Sequence, residues 1–284
     1  MDGRYLTLGL DALSRAHAMD FFADGHRGGA ILSAYFLCRE GGVEPGTDAL
    51  LAAMIDRDYG GTPLCASLPE EAPDPALTHD LAETLRTHAT GLRKAGHNVI
   101  LPALALKAFH HAPALITPAR VAGIRALVEC FQAVDDADEV DDAAVPGIDD
   151  TADWADFVLR ELLRTFEAFD GRGQGWSGHL LTYSRALLDL RDGGYDDTAE
   201  VALQGWRCYL RRIRKGPLET DRPRPEHAAT PLRPGQRAYW EARHDQPLGL
   251  GHLIKYPYGY RGIAHRAGDK QLVARCDAAA YRIF

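Results

Sequence analysis

At 284 residues the chain can bury a full core, in one large domain or two small ones. Its 46% apolar and 25% charged content is ordinary for a globular protein, and a formal charge of −8 speaks against nucleic-acid or anionic-membrane partners, which call for a basic excess. Cys38, Cys65, Cys130, Cys208 and Cys276 are an odd number with no close pair, so a reducing cytoplasm is expected rather than a disulfide framework. The N-terminus lacks a basic start leading into an apolar run, and no stretch approaches the ~20 continuous apolar residues that span a bilayer.

In chain order, the pattern predicts a helix over 6–22, a break with a cap at Asp24-Gly25, and a second helix over 26–39. Gly41-Gly42 ends the second, and a third covers 48–56. After a Pro-containing loop, 60–74, helices are expected over 77–92, 99–109 and from Thr117-Pro118 to 131, where proline fits the first helical position. The segment 134–150 is crowded with carboxylates whose mutual repulsion favours a solvated linker. Helices over 154–169, 179–190 and 196–214 follow, the first two joined by the Gly-rich turn 171–178. The loop 216–235 carries five prolines, and the last helices are read over 236–243, 252–264 and 270–281. No alternating run bounded by hairpin turns predicts a strand.

One motif recurs through this series. Gly-His followed by an apolar helix occurs at FADGHRGGAILSAYFL, KAGHNVILPALALKAF, GWSGHLLTYSRALLDL and GLGHLIKYPYGYRGIA. The histidines, His26, His97, His179 and His252, stand 71, 82 and 73 residues apart. Near-even spacing of this kind marks a repeat architecture. The expected fold is therefore all-α: one domain of four three-helix units, at 1–60, 74–134, 151–215 and 235–284. The units close into an α/α-toroid-like or strongly curved array around a central cavity. Short connections make consecutive helices antiparallel and bring all four Gly-His ends to one side.

Three units add a second histidine eight or nine residues earlier, at His17, His88 and His244. A helix N-terminus, through its unpaired N–H groups, disfavours imidazolium and keeps the ring neutral. Neutral imidazole ligates Fe, Cu or Zn and is also a competent general base. Tyr183 and Tyr256 stand four residues after His179 and His252, hence on the same helix face, and Lys255 stands three after His252. The same positions in the first two units hold Ala30 and Leu101. A cavity polar on one side and apolar on the other would suit an organic substrate with one functional end. Packing of both tyrosines in the core, with hydroxyls on backbone carbonyls, is the competing reading.

Other signals are weaker. GQGWSG at 173–178 matches GxGxxG but follows a helix, so the dinucleotide-binding context is missing. The DEVDD run at 138–142 resembles the acidic metal motif of class I terpene cyclases but falls in the expected linker. Arg207, Arg211, Arg212, Arg214 and Lys215 suit a helix C-terminus.

The runs DFFADGHRGGAILSAYFLCREGGVEPGTDALLAAMIDRDY and GHNVILPALALKAFHHAPALITPARVAGIRALVECF resemble the helical repeats of questin oxidase-like proteins, in which histidines open apolar helices in successive units. The likeness covers about the first half of the chain, and the last unit more loosely. It implies an oxygenase of aromatic polyketides in natural-product metabolism. The array also resembles, in architecture alone, the toroid of lanthionine cyclases, whose Cys-Cys-His zinc set has no counterpart here.

The leading expectation is an enzyme acting on a small or medium organic molecule in a His-lined cavity. It would be a metal-dependent oxidoreductase, with His26, His97, His179, His252 and the outer His17, His88 and His244 as candidate ligands, and Tyr183, Tyr256 and Lys255 orienting the substrate. The alternatives are a metal-free cyclase or lyase using the same imidazoles as acid and base, and a non-enzymatic scaffold binding a ligand or protein on its concave face.

Overall fold

The computed structural model describes residues 1–132, 145–223 and 227–284. Among these the chain forms twelve α-helices and no strand beyond one isolated bridge between Arg172 and Pro223. The helices are α1 Arg4–Ala16, α2 Phe21–Arg39, α3 Thr47–Ile55, α4 Leu77–His88, α5 His97–His111, α6 Pro118–Cys130, α7 Thr151–Ala168, α8 Gly175–Asp192, α9 Asp196–Arg214, α10 Arg237–Glu241, α11 His252–Arg266 and α12 Lys270–Ala279. The carboxylate run at 138–142 and most of the expected acidic linker lie outside the described residues. No helix among those described is long and apolar enough to cross a membrane, and all five cysteines are free thiols.

The helices divide by how much of their circumference is apolar. α2, α5, α8 and α11 are buried on nearly every side, as their near-continuous apolar runs require. α1, α4, α7 and α9 alternate apolar and charged residues at helical spacing and bury one face. The four buried helices pack in a closed order: α2 on α5, α5 on α8, α8 on α11, and α11 back on α2. The amphipathic helices lie outside, α1 against α2 and α6, α9 against α8 and α4, and α7 against α8, α11 and α12.

The closed order is reproduced side chain by side chain. A Cβ placed on Gly25 would meet Leu101 Cδ1 at 2.8 Å; on Gly96, Tyr183 Cδ1 at 2.3 Å; on Gly178, the Tyr256 ring at 2.3 Å; and on Gly251, Ala30 Cβ at 2.1 Å. The glycine preceding each of the four histidines is thus covered by the residue four positions after the next histidine in the chain, and the last glycine by the residue four after the first histidine. The glycines are there because a neighbouring side chain occupies the volume a Cβ would take. Gly96 and Gly251 also adopt left-handed φ values of 90° and 71°, which an L side chain resists.

Two helix starts differ from the sequence expectation. α1 ends at Ala16, and α2 starts at Phe21 with Asp20 as its N-cap, the carboxylate accepting from Ala23 N. Asp24-Gly25 therefore lies inside α2 rather than breaking the chain. Gly25 and Gly28 are close-approach positions, Gly28 for the backbone of Leu13 at 2.8 Å from a would-be Cβ. α8 likewise starts at Gly175, one turn before His179. The Pro-rich loop is tied down near its start: Gly173 N donates to Arg222 O, and Asp221 accepts from Leu218 N, Trp176 Nε1 and Arg212 Nη2.

Candidate metal centre

At one end of the four inner helices His26, His97, His179 and His252 form a single cluster. Ring centroids are 4.2 Å apart for His26–His97, 4.6 Å for His97–His179, 4.9 Å for His26–His252 and 5.3 Å for His179–His252. His26, His97 and His179 each offer a nitrogen within 4.8 Å of the others, and all three are buried. Phe22 stands against the rings of His26 and His97, and Tyr256 stacks on His252 at 4.7 Å and 11°. His252 and Phe22 are only half-buried and form the side of the cluster nearest solvent.

Backbone carbonyls determine which nitrogens are available. His97 Nδ1 lies on the Lys94 carbonyl, and His179 Nδ1 on the Gly175 carbonyl at 2.6 Å. A carbonyl only accepts, so both Nδ1 atoms carry the proton and both Nε2 atoms hold a lone pair. Those two Nε2 atoms face each other at 3.0 Å. Two lone pairs at that distance repel unless a cation, a proton or a metal ion, lies between them. The backbone that supplies the Lys94 carbonyl is itself held in an uncommon state, with φ of 45° at Lys94 and 56° at Ala95.

A proton is the disfavoured cation. Burial first, then the charges of His179 and Lys255, drives the His97 pKa well below its ordinary value. Burial followed by Lys255 and the other three rings does the same to His26. The cause differs from the sequence expectation. Only His97 and His252 open their helices, while His26 and His179 lie a turn or more inside α2 and α8, and for His26 and His97 desolvation is the largest cause of the lowered pKa. His26 Nδ1 is buried without a hydrogen-bond partner, an orphan of the kind that a ligated ion satisfies. The three imidazoles, two of them fixed through Nδ1 to carbonyls, form a donor set that could hold a transition-metal ion.

Lys255 is buried, forms no ion pair or hydrogen bond among the described residues, and has its pKa pulled well below the usual amine range by burial. It lines a void of about 10 Å³, room for one water, with Ser33, Thr182, Asp189 and Tyr258. The Tyr256 hydroxyl reaches Gly175 O at 3.4 Å and His179 Nδ1 at 3.3 Å.

Other predicted residues lie elsewhere. Tyr183 is a core residue: its hydroxyl donates to Ala202 O at 2.9 Å, its ring covers Gly96, and burial raises its pKa. It shapes the turn before His97 rather than facing the imidazoles. His17 bonds Ser14 O and lines an outer groove with Arg15 and Met19; His88 bonds Thr84 O and borders a different groove with His79 and Glu129; His244 lies beside Asp245. Each sits at or just beyond the C-terminal end of an outer helix, and none makes a ring contact with the cluster. Spacing along the chain does not bring these side chains to the cluster, because His17 and His88 are engaged by carbonyls of their own outer helices and border separate grooves.

The large cavity is also not at the histidine end. It measures about 620 Å³ and lies where α2, α5, α8 and α11 finish. Sequence reasoning passed over its floor, Glu40, Lys107, Arg185, Asp189 and Tyr258. The signal was present in Arg185 and Asp189, two charges four apart inside the apolar run of α8. Comparison with known proteins found no matching family model, curated protein or solved structure.

Proposed function

We propose that the four Gly-His units are equivalent, closing as an α/α-toroid-like ring, and that the ring holds a divalent transition metal on His26, His97 and His179 in a metal-dependent enzyme acting on a small organic molecule. The observation that carries this reading is the pair of lone-pair-bearing Nε2 atoms facing each other at 3.0 Å in a site where protonation is disfavoured. With metal–nitrogen bonds near 2.0–2.1 Å, neighbouring tetrahedral ligand nitrogens would lie roughly 3.3 Å apart, a few tenths of an ångström wider than the His97–His179 pair, and His26 offers a nitrogen within 4.8 Å of both. Zinc, iron or copper suits three imidazoles; magnesium and calcium do not.

A metal so held supplies Lewis acidity and, where it is iron or copper, one-electron chemistry. The chain's own residues do the rest. The carbonyls of Lys94 and Gly175 fix the tautomers of His97 and His179. His252 and Tyr256, stacked beside the triad on the half-buried side, orient what approaches past Phe22. Burial favours the uncharged form of Lys255, and in that form the amine offers a lone pair as a base. The resemblance to questin oxidase-like proteins points to an aromatic substrate and an oxidation.

The test is elemental analysis of protein purified without chelator, together with His97→Ala. About one transition-metal ion per chain, lost in the variant, is the expected result. Metal at well under one ion per several chains, with no rise on reconstitution with zinc, iron or copper salts, overturns the reading.

A further inference from the structure

The 620 Å³ cavity falls in the size range of small-molecule sites and shares no residue with the histidine cluster. Glu40 lies fourteen residues beyond His26 along α2, roughly 20 Å at the helical rise, so the cavity and the cluster occupy opposite ends of the inner helices.

Its floor is a closed ion network. Arg185 donates through Nε to Asp189 and through Nη2 to both oxygens of Glu40. Lys107 donates to Glu40, to Asp189 at 2.9 Å and to the Tyr258 hydroxyl at 2.8 Å, and Tyr258 donates to the other Asp189 oxygen at 2.5 Å. Burial opposes charge on both Arg185 and Asp189, yet their mutual attraction holds Arg185 protonated and, with Lys107, keeps Asp189 below its usual carboxylate range. Gly262 is part of this construction: a Cβ there would lie 1.7 Å from Arg185 Nη1, so only glycine admits the guanidinium.

The carboxylates of the floor are thus committed to Lys107 and Arg185, and Arg266 pairs with Asp192, which leaves two arginines of the lining unmatched. Arg39 and Arg261, both exposed on the lining, form no hydrogen bond or ion pair among the described residues, and neither do His110 and His265. The lining holds five Lys and Arg against three carboxylates, a local positive excess in a chain whose formal charge is −8. Phe36, Leu37 and the Tyr258 ring supply an apolar wall, with Lys107 Nζ 4.6 Å over the Phe36 ring.

We propose that this cavity is a second ligand site, for a small organic anion: an apolar or aromatic body against Phe36 and Tyr258, with a carboxylate or phosphate head held by Arg39 and Arg261. The inference does not rest on metal at the histidines. Calorimetric titration of the full chain with benzoate, phenyl phosphate and the neutral control benzamide tests it. One saturable site is expected for at least one anion, weakened about tenfold or more in the double variant Arg39→Ala/Arg261→Ala, whose positions are exposed and unpaired in the fold. The stronger of the two anions identifies the head group. Saturable binding of neither anion, equal binding of benzamide, or affinity unchanged in the double variant overturns the proposal.

Discussion

Gly178→Ala separates local preference from ring packing, because the two predict opposite signs. Gly178 lies inside α8 with ordinary helical geometry, so propensity alone makes alanine stabilising by about 1 kcal/mol. Its Cβ would lie 2.3 Å from the Tyr256 ring, about 1.1 Å closer than the 3.4 Å at which ordinary contact begins. The ring has little room to retreat, because it stacks on His252 at 4.7 Å and is 4% exposed. Overpacking a core costs about 1–3 kcal/mol, and an overlap of this depth belongs at the upper end, leaving a net loss of about 1–2 kcal/mol after the propensity gain. Urea denaturation followed by circular dichroism reads this as a lower midpoint at unchanged slope. In a Tyr256→Ala background the clash partner is gone, and Gly178→Ala becomes neutral or stabilising by up to about 1 kcal/mol. Because Tyr256 also touches His179 and His252, the single variant should bind metal more weakly. A Gly178→Ala protein at least as stable as the parent would refute the cyclic packing of glycines under the residues four beyond each histidine.

Two further outcomes follow from the buried titratable groups. His26 and His97 have folded pKa values below the ordinary 6.5, so the unfolded chain takes up protons first. In metal-free protein their contribution is present above about pH 6.5 and is lost as the pH falls, by up to about 1.4 kcal/mol per unit for each ring. A stability profile flat from about pH 6.5 to 5 contradicts this. Lys255, also depressed, makes the folded chain bind fewer protons than the unfolded one up to about pH 10.4, so stability rises with pH through the alkaline range. Lys255→Met should raise stability at pH 7 by on the order of 1–3 kcal/mol and flatten that rise, whereas a destabilised variant with the rise intact would show the amine to be charged and paired.

Much of the molecule was legible in the chain itself. Helical periodicity, the apolar runs after each Gly-His and stops such as Gly41-Gly42 are local signals, and apart from the end of α1 and the start of α2 the helices stand within a few residues of expectation. The start of α2 was misplaced because Asp20 and Asp24-Gly25 offer equivalent local caps, and the choice between them was made by α1 and α5 pressing on Gly28 and Gly25.

The recurrence of four histidines at the head of four apolar runs is a property of the sequence. Which nitrogen each ring exposes is not, because it depends on carbonyls of Lys94 and Gly175 placed by the preceding turns. Nor is the packing role of the residue four beyond each histidine, which covers the glycine before the preceding histidine in the cycle, across about 80 residues in the case of Tyr256 and Gly178. The same holds for the ion network of Glu40, Lys107, Arg185 and Asp189, where three helices meet. Helix formation follows from neighbours in sequence; the pairing of charges and lone pairs follows from neighbours in space, and only the closed packing of α2, α5, α8 and α11 supplied those.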